Sequence, residues 1–79
     1  MATIEAFVLI QAEVGMASQV GQTVSGMQGV RSAVVVTGPY DVVARVEAAS
    51  IDALGSLIVS KIQAVEGIAR TLTCPVVRL

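Results

Sequence analysis

The sequence predicts an α+β fold of the ferredoxin-like βαββαβ type, in which two helices cover one face of a four-stranded antiparallel sheet. Four segments alternate apolar and polar residues or run apolar, as strands do, and two segments repeat apolar residues every three or four positions, as helices do. The segments follow the order strand, helix, strand, strand, helix, strand within 79 residues. Right-handed crossovers then place both helices on the same side of the sheet.

The first strand and the first helix are predicted over Ile4 to Val14 and over about Ala17 to Met27. The strand begins almost wholly apolar, from Ala6 to Ile10, and then alternates, which indicates burial of both faces at its start. One face of the helix carries the apolar residues Ala17, Val20, Val24 and Met27. Gly21 and Gly26 each cost about 1 kcal/mol in a helix interior relative to alanine, so this helix depends on packing for its stability.

The central pair of strands is predicted over Val30 to Thr37 and over Val42 to Ala48. The turn Gly38-Pro39-Tyr40-Asp41 lies between them, and so short a connection predicts an antiparallel hairpin.

The second helix is predicted over Ile51 to about Val65, with Ser50 as its N-cap and Asp52 in the first turn, where the helix dipole favours an anion. Its apolar stripe comprises Ile51, Leu54, Leu57, Ile58, Ile62 and Val65. The last strand is predicted over Ile68 to Leu79, with a break or a sheet edge at Pro75 because proline cannot donate to a strand ladder.

Composition predicts that this domain assembles with another copy of itself. Hydrophobic residues make up 54% of the chain and charged residues 14%, and a chain of this length buries only about 60% of the surface that its unfolded form exposes. Three of the strands carry apolar side chains on both faces, although the helices cover only one face of the sheet. We therefore expect one domain, residues 1–79, that forms a homodimer through its sheets.

The same composition argues against several classes of function. The net charge is −1 and the five basic residues are dispersed, so we expect no direct binding of nucleic acid. No apolar run approaches the roughly 20 residues of a membrane span, and no signal peptide is visible, so we expect a cytoplasmic protein without membrane contact. Histidine is absent and the carboxylates are scattered, so we expect no metal, no cofactor and no catalysis, with Cys74 as a buried, unreactive thiol.

The polar residues of the hairpin turn are the best candidates for a ligand site. Gly38 lets backbone approach a ligand, Tyr40 offers a flat wall with a hydroxyl, and Asp41 offers an anion for an ammonium group. Thr71 and Thr73, on one face of the last strand, can present hydroxyls to a carboxylate or an amide. Each group also has a plain structural explanation, since glycine, proline and aspartate are ordinary turn residues and threonine is a strand former.

Two stretches of this sequence resemble the effector domain of the Lrp/AsnC family, also called the RAM domain. Residues 35–46, including Thr37-Gly38-Pro39-Tyr40-Asp41, are similar to its hairpin of the form TG-x-(Y/F)-D followed by alternating apolar residues. Residues 62–73, from Ile62 to Thr73, are similar to its run I-x-x-(I/L)-x-G-(V/I)-x-R-T-x-T. The order and spacing of these motifs extend the resemblance over nearly the whole chain.

The resemblance implies a ferredoxin-like fold, dimers formed through the sheets, and rings of dimers, often octamers. It implies that the ligand is an amino acid or a related metabolite, bound between dimers near the hairpin turn. Carried over by position, the ligand-binding residues would be Gly38, Tyr40, Asp41, Thr71 and Thr73. Most members also carry a helix-turn-helix DNA-binding domain, whereas this sequence starts at the first effector strand, so we expect a free-standing effector domain that regulates transcription through full-length family partners.

Two alternatives stay open at this stage. One is an assembly module without a ligand, held by the same apolar sheet face and with a purely structural turn. The other is a small enzyme of the dimeric α+β barrel type, in which a cofactor within an apolar pocket supplies the chemistry.

Overall fold

Strands and helices follow the predicted βαββαβ order over residues 3–79, the part of the chain that the computed structural model describes. The predicted domain span of 1–79 therefore includes two residues outside this part. The elements are β1 (Ile4–Ala12), α1 (Ala17–Ser25), β2 (Val30–Val35), β3 (Val42–Ala48), α2 (Ile51–Ser56, continued by a π-helix over Leu57–Ile62) and β4 (Ile68–Pro75). The four strands form one antiparallel sheet in the order β2-β3-β1-β4, which confirms the predicted fold class.

The core lies between the helices and one face of the sheet. Alternate residues of β1 and β3 point into it, as the period of two predicts. The fully buried residues are Ala6, Val8, Ile10, Val20, Val24, Val42, Ala44, Val46 and Ile62, with Leu54 and Ile58 nearly so. Val35 also belongs to this side, because it pairs with Val42 across the hairpin and lies over Gly21 of α1.

The ends of several elements differ from the prediction. β1 ends at Ala12 rather than Val14. The Ala12 amide donates to the Asp41 side chain instead of to a strand, and the chain then turns at Gly15, which has φ +79°. α1 ends at Ser25 instead of Met27, β2 at Val35 instead of Thr37, and β4 at Pro75 instead of Leu79.

The second helix begins at its predicted N-cap, since the Ser50 hydroxyl accepts a hydrogen bond from the Ala53 amide at 3.0 Å. Its second half is wound as a π-helix, whose last bond runs from the Gln63 amide to the Ile58 carbonyl at 2.8 Å. Ile51, expected in the buried stripe, is 65% exposed. The buried stripe therefore starts at Leu54 rather than at the first residue of the helix.

The second face of the sheet, here called the open face, is covered by no helix of residues 3–79. Its apolar centre is a row of four side chains, one from each strand, brought side by side by the pairings Val34↔Val43, Val43↔Leu9 and Leu9↔Leu72. In the chain alone Val34 is 53% exposed and Leu72 is 48% exposed.

Beside this apolar row, Phe7 pairs with Cys74 on the same face. The expectation of a buried thiol is wrong for the single chain, because this pairing places Cys74 on the open face, where it is exposed.

Charged side chains close one end of the open face. Arg45 donates two hydrogen bonds to the Glu5 carboxylate, at 2.7 and 3.2 Å, and Arg78 donates a third. The bond from Arg45 holds the pKa of Glu5 below its ordinary value. Arg31 and Glu47 form a second ion pair at 2.8 Å.

In residues 3–79, no helix combines the length and apolar character needed to cross a bilayer.

Candidate functional site

Asp41 attaches the hairpin turn to the end of β1. Its amide donates to the Ile10 carbonyl at 2.9 Å, and its carboxylate Oδ2 accepts from the Ala12 amide at 2.8 Å. Its carbonyl accepts from the Val36 amide at 2.8 Å. In antiparallel pairing every second residue of a strand bonds towards the same neighbour, so the Asp41 side chain provides the next rung after Ile10. The turn is thus tied to the sheet by both backbone and side chain.

The rest of the turn stands out from the sheet. Gly38 has φ +144°, a backbone conformation that residues with a side chain rarely adopt, although an added Cβ there would meet open space. The turn therefore requires glycine at this position for its own conformation. Tyr40 is half-buried, and Gln11 donates from Nε2 to the Pro39 carbonyl at 3.5 Å.

Thr71 lies at the same end of the sheet as the turn, on the other side of β1. Ile10 pairs with Val42 of β3 on one side and with Thr71 of β4 on the other. Two strand spacings, about 10 Å, therefore separate the start of β3 from Thr71. Because its partner Ile10 is a core residue, Thr71 belongs to the helix-facing side of the sheet, where it is half-buried.

Thr73 is more distant from the turn. It pairs with Val8, two residues further along the strands and so about 7 Å from Thr71. The fold therefore brings Gly38, Tyr40, Asp41 and Thr71 to one end of the sheet and leaves Thr73 further along the same strand. That these residues bind a ligand stays a prediction.

Two polar partners of these residues were not identified from the sequence. The first is the Ala12 amide, which occupies the Asp41 carboxylate. The second is Gln63, whose Nε2 donates to the Thr71 hydroxyl oxygen at 2.9 Å. Neither has a sequence signal, because both contacts depend on how distant segments are brought together. The Gln63 contact forms where the chain reverses direction before β4, at Gly67 with φ +99°.

The site contains acceptors, donors and a tyrosine ring, which are groups suited to holding a small polar molecule. Residues 3–79 enclose no cavity within the single chain. The same residues contain no group of three or more histidine, cysteine or carboxylate side chains placed to hold a metal ion.

Comparison with known proteins agrees with this architecture. The sequence profile of the Lrp/AsnC ligand-binding domain matches residues 5–79. No curated protein sequence gives a significant match. The chain is similar to TTHA0845 from Thermus thermophilus, with 33% identity and a TM-score of 0.90 over 96% of this chain and 95% of that one.

Two regulators give a similar superposition over about half of their own length. AsnC from E. coli has 26% identity and a TM-score of 0.89, with 96% of this chain and 52% of that chain covered. The transcriptional regulator NMB0573 from Neisseria meningitidis, solved as a complex with L-Met, has 16% identity and a TM-score of 0.84, with 95% and 50% covered. At this identity the second comparison concerns the fold alone.

Proposed function

Because this chain belongs to the family of Lrp/AsnC ligand-binding domains, which serve regulation rather than catalysis, we propose that its effector is an amino acid held beside the hairpin turn. The observation that carries the proposal is that the fold brings Asp41 and Thr71 to the same end of the sheet, on either side of β1 and about two strand spacings apart. A free amino acid at neutral pH presents an ammonium and a carboxylate, which need an acceptor and a donor respectively. Asp41 is an acceptor and the Thr71 hydroxyl is a donor.

Asp41 can serve the ammonium group without giving up its structural bond. The Ala12 amide uses Oδ2, and an ionised carboxylate has about four lone-pair sites on its two oxygens. Oδ1 is therefore the proposed acceptor for the ligand. In the same proposal Gly38 lets the ligand approach the backbone, Tyr40 packs against it, and Thr71 and Thr73 supply hydroxyls. The Neisseria regulator that shares this fold was solved with L-Met, a member of the ligand class proposed here.

We further propose that residues 1–79 act as one module that forms a homodimer through the open face, with dimers assembling into rings such as octamers. Support comes from the apolar row on that face, where Leu9 lies between Val43 and Leu72 on a surface that no helix of the described residues covers. Large exposed apolar patches in globular proteins mark sites of association. Ring assembly would place a second subunit over the turn and so close the ligand site.

Regulation in this proposal takes place in the cytoplasm, without direct contact with DNA or membrane, through full-length family members that share this domain. The five basic residues are dispersed along the sequence and the net charge is −1. The sequence therefore supplies no cluster of basic residues with which to bind phosphates. A shared domain gives such partners the same sheet face on which to assemble.

A ligand-free assembly module is the second candidate function, and one observation favours it. The Asp41 carboxylate already has a structural partner in Ala12, so the turn has a reason to contain aspartate without any ligand. In this case assembly through the open face would be the whole function.

A thermal-shift screen against the twenty standard amino acids separates the two candidates. A ligand that binds only the folded state stabilises it by about 2.7 kcal/mol at a hundredfold excess over its Kd. We expect one amino acid or a few related ones to raise Tm in a saturable way, with Asp41→Asn reducing the shift. A flat response to all twenty at millimolar concentration would leave the assembly module as the function.

A further inference from the structure

A hydrogen bond between the side chains of Gln63 and Thr71 lies on the helix side of the candidate site. Gln63 is the C-cap residue that directly follows the helical segment α2, and Thr71 lies on β4, eight residues later. The amide Nε2 of Gln63 donates to Thr71 Oγ1 at 2.9 Å, well within hydrogen-bond range. The bond thus joins the end of α2 to β4.

This bond determines which hydrogen bonds the Thr71 hydroxyl can still make with a ligand. A hydroxyl has one proton to donate and two lone pairs that accept. Because Gln63 donates into the oxygen, the hydroxyl proton is directed elsewhere. Among residues 3–79 no hydrogen bond from the Thr71 hydroxyl to another group is present. Its proton therefore has no partner among these residues, and Thr71 itself lies at the end of the sheet that carries the turn.

We propose that Gln63 is a positioning residue, which orients the Thr71 hydroxyl as a hydrogen-bond donor towards the carboxylate of the bound amino acid. The inference rests on the proposed function and adds to it the role of Gln63 and the direction of the hydrogen bond that Thr71 makes to the ligand. The inference concerns the carboxylate alone, because Asp41 lies on the other side of β1, about two strand spacings from Thr71. Gln63 thus makes the site selective for a free α-carboxylate over an α-carboxamide.

Two features of Gln63 suit it to this role. Its backbone N–H donates to the Ile58 carbonyl at 2.8 Å, and this π-helical bond fixes the backbone position from which the side chain extends. Its Oε1 and its second N–H are not needed for the Thr71 bond. The opposite orientation of the amide, with Oε1 accepting from Thr71, would use up the hydroxyl proton and leave no donor for a carboxylate, so the proposal depends on a measurable orientation.

The test compares four single variants, Gln63→Leu, Gln63→Glu, Thr71→Val and Thr71→Ser, and the double variant Gln63→Leu with Thr71→Val. Calorimetry measures the affinity of each for the standard amino acid that gives the largest thermal shift, and for the α-carboxamide of that amino acid. Tm without ligand shows that each variant is folded. Thr71→Ser, which keeps the hydroxyl, is the matched control for Thr71→Val.

We expect Thr71→Val to lose about ten- to a hundredfold in affinity for the acid, because it removes a bond to a charged group, and Thr71→Ser to bind nearly as the wild type does. Gln63→Leu should lose about two- to tenfold, as expected for loss of an ordinary hydrogen bond. Gln63→Glu should abolish the preference for acid over carboxamide, because the new carboxylate accepts the hydroxyl proton. In the Thr71→Val background, Gln63→Leu should have no further effect.

The outcomes separate this inference from the proposed function. Gln63 variants that bind as the wild type does, beside a Thr71→Val that does not, would overturn the role of Gln63 and leave the ligand site standing. An acid preference that survives Gln63→Glu would do the same. If the wild type binds no amino acid, the proposed function fails, and the positioning role fails with it. One ligand-free measurement adds an independent check: in the free wild type, the side-chain amide NMR resonances of Gln63 should differ from those of an unbonded glutamine, and Thr71→Val should abolish that difference.

Discussion

At the scale of single residues, Asp41 combines a structural bond with a proposed ligand bond. Its Oδ2 completes the ladder between the turn and β1 by accepting from the Ala12 amide, and in the proposed site Oδ1 accepts from the ammonium of an amino acid. Removing the side chain therefore disturbs stability and affinity together. A substitution that keeps one acceptor oxygen but removes the charge can separate the two roles.

We predict that Asp41→Ala lowers the free energy of unfolding by about 1–3 kcal/mol, because the part-buried Ala12 amide loses its acceptor. Asp41→Asn should be closer to the wild type in stability, since its side-chain oxygen still accepts from Ala12. Both variants should bind the amino acid about ten- to a hundredfold more weakly. Urea denaturation and calorimetry on the same samples measure the two effects. If Asp41→Asn bound the amino acid as tightly as the wild type does, Asp41 would not belong to the ligand site, and its role would be to hold the turn.

At the scale of elements, the two helices each contain one glycine in their interior, and these glycines have different surroundings. A Cβ added at Gly21 in α1 would lie 3.0 Å from Val35 Cγ2, closer than an ordinary contact. A Cβ added at Gly55 in α2 would have no such neighbour within 4 Å. Helix propensity favours alanine equally at both positions, so any difference between them measures the packing of α1 on the sheet.

We predict that Gly55→Ala raises the free energy of unfolding by about 0.5–1 kcal/mol, the usual gain from replacing glycine in a helix. Gly21→Ala should gain less or lose stability, because crowding Val35 offsets the gain in propensity. Combining Gly21→Ala with Val35→Ala should restore part of the gain, since the clash is removed. Equal gains in the two single variants would show that α1 packs on β2 more loosely than this geometry implies.

At the scale of the whole molecule, the sheet has one covered and one open face. The covered face is wholly apolar at its centre, and the open face carries the apolar row beside the ion pairs of Glu5 and Glu47. Such a surface is costly to leave in water. The ion pairs at the end of the open face suit the rim of an interface, where charges remain partly hydrated.

We predict that Leu9→Lys dissociates or weakens the assembly, because the lysine would stand between Val43 and Leu72 in the middle of the apolar row. Ile51→Lys is the matched control, since Ile51 is an exposed apolar residue of the helix layer, on the opposite side of the sheet. Size-exclusion chromatography with light scattering should find the wild type and Ile51→Lys at least dimeric. A folded wild-type monomer at micromolar concentration would contradict association through the open face.

The order and type of the elements followed from the sequence alone. Periods of two and of three to four mark strands and helices wherever one face is buried, and this predicted β3 over Val42–Ala48 and the start of the second helix at its Ser50 cap. The hairpin turn and the pattern of β3 also placed Asp41 beside the sheet. Local chemistry was sufficient here because neighbouring residues determine these features.

The tertiary structure decided which surfaces and which partners these elements have. A period of two assigns residues to two faces but does not say which face the helices cover, so only the pairing register put Val35 towards α1 and Cys74 on the open face. The bonds of Asp41 to Ala12 and of Gln63 to Thr71 join residues whose spacing in the sequence carries no pattern. Such contacts arise when chain reversals bring separate segments together, and their geometry depends on the packing of the whole domain rather than on any local propensity.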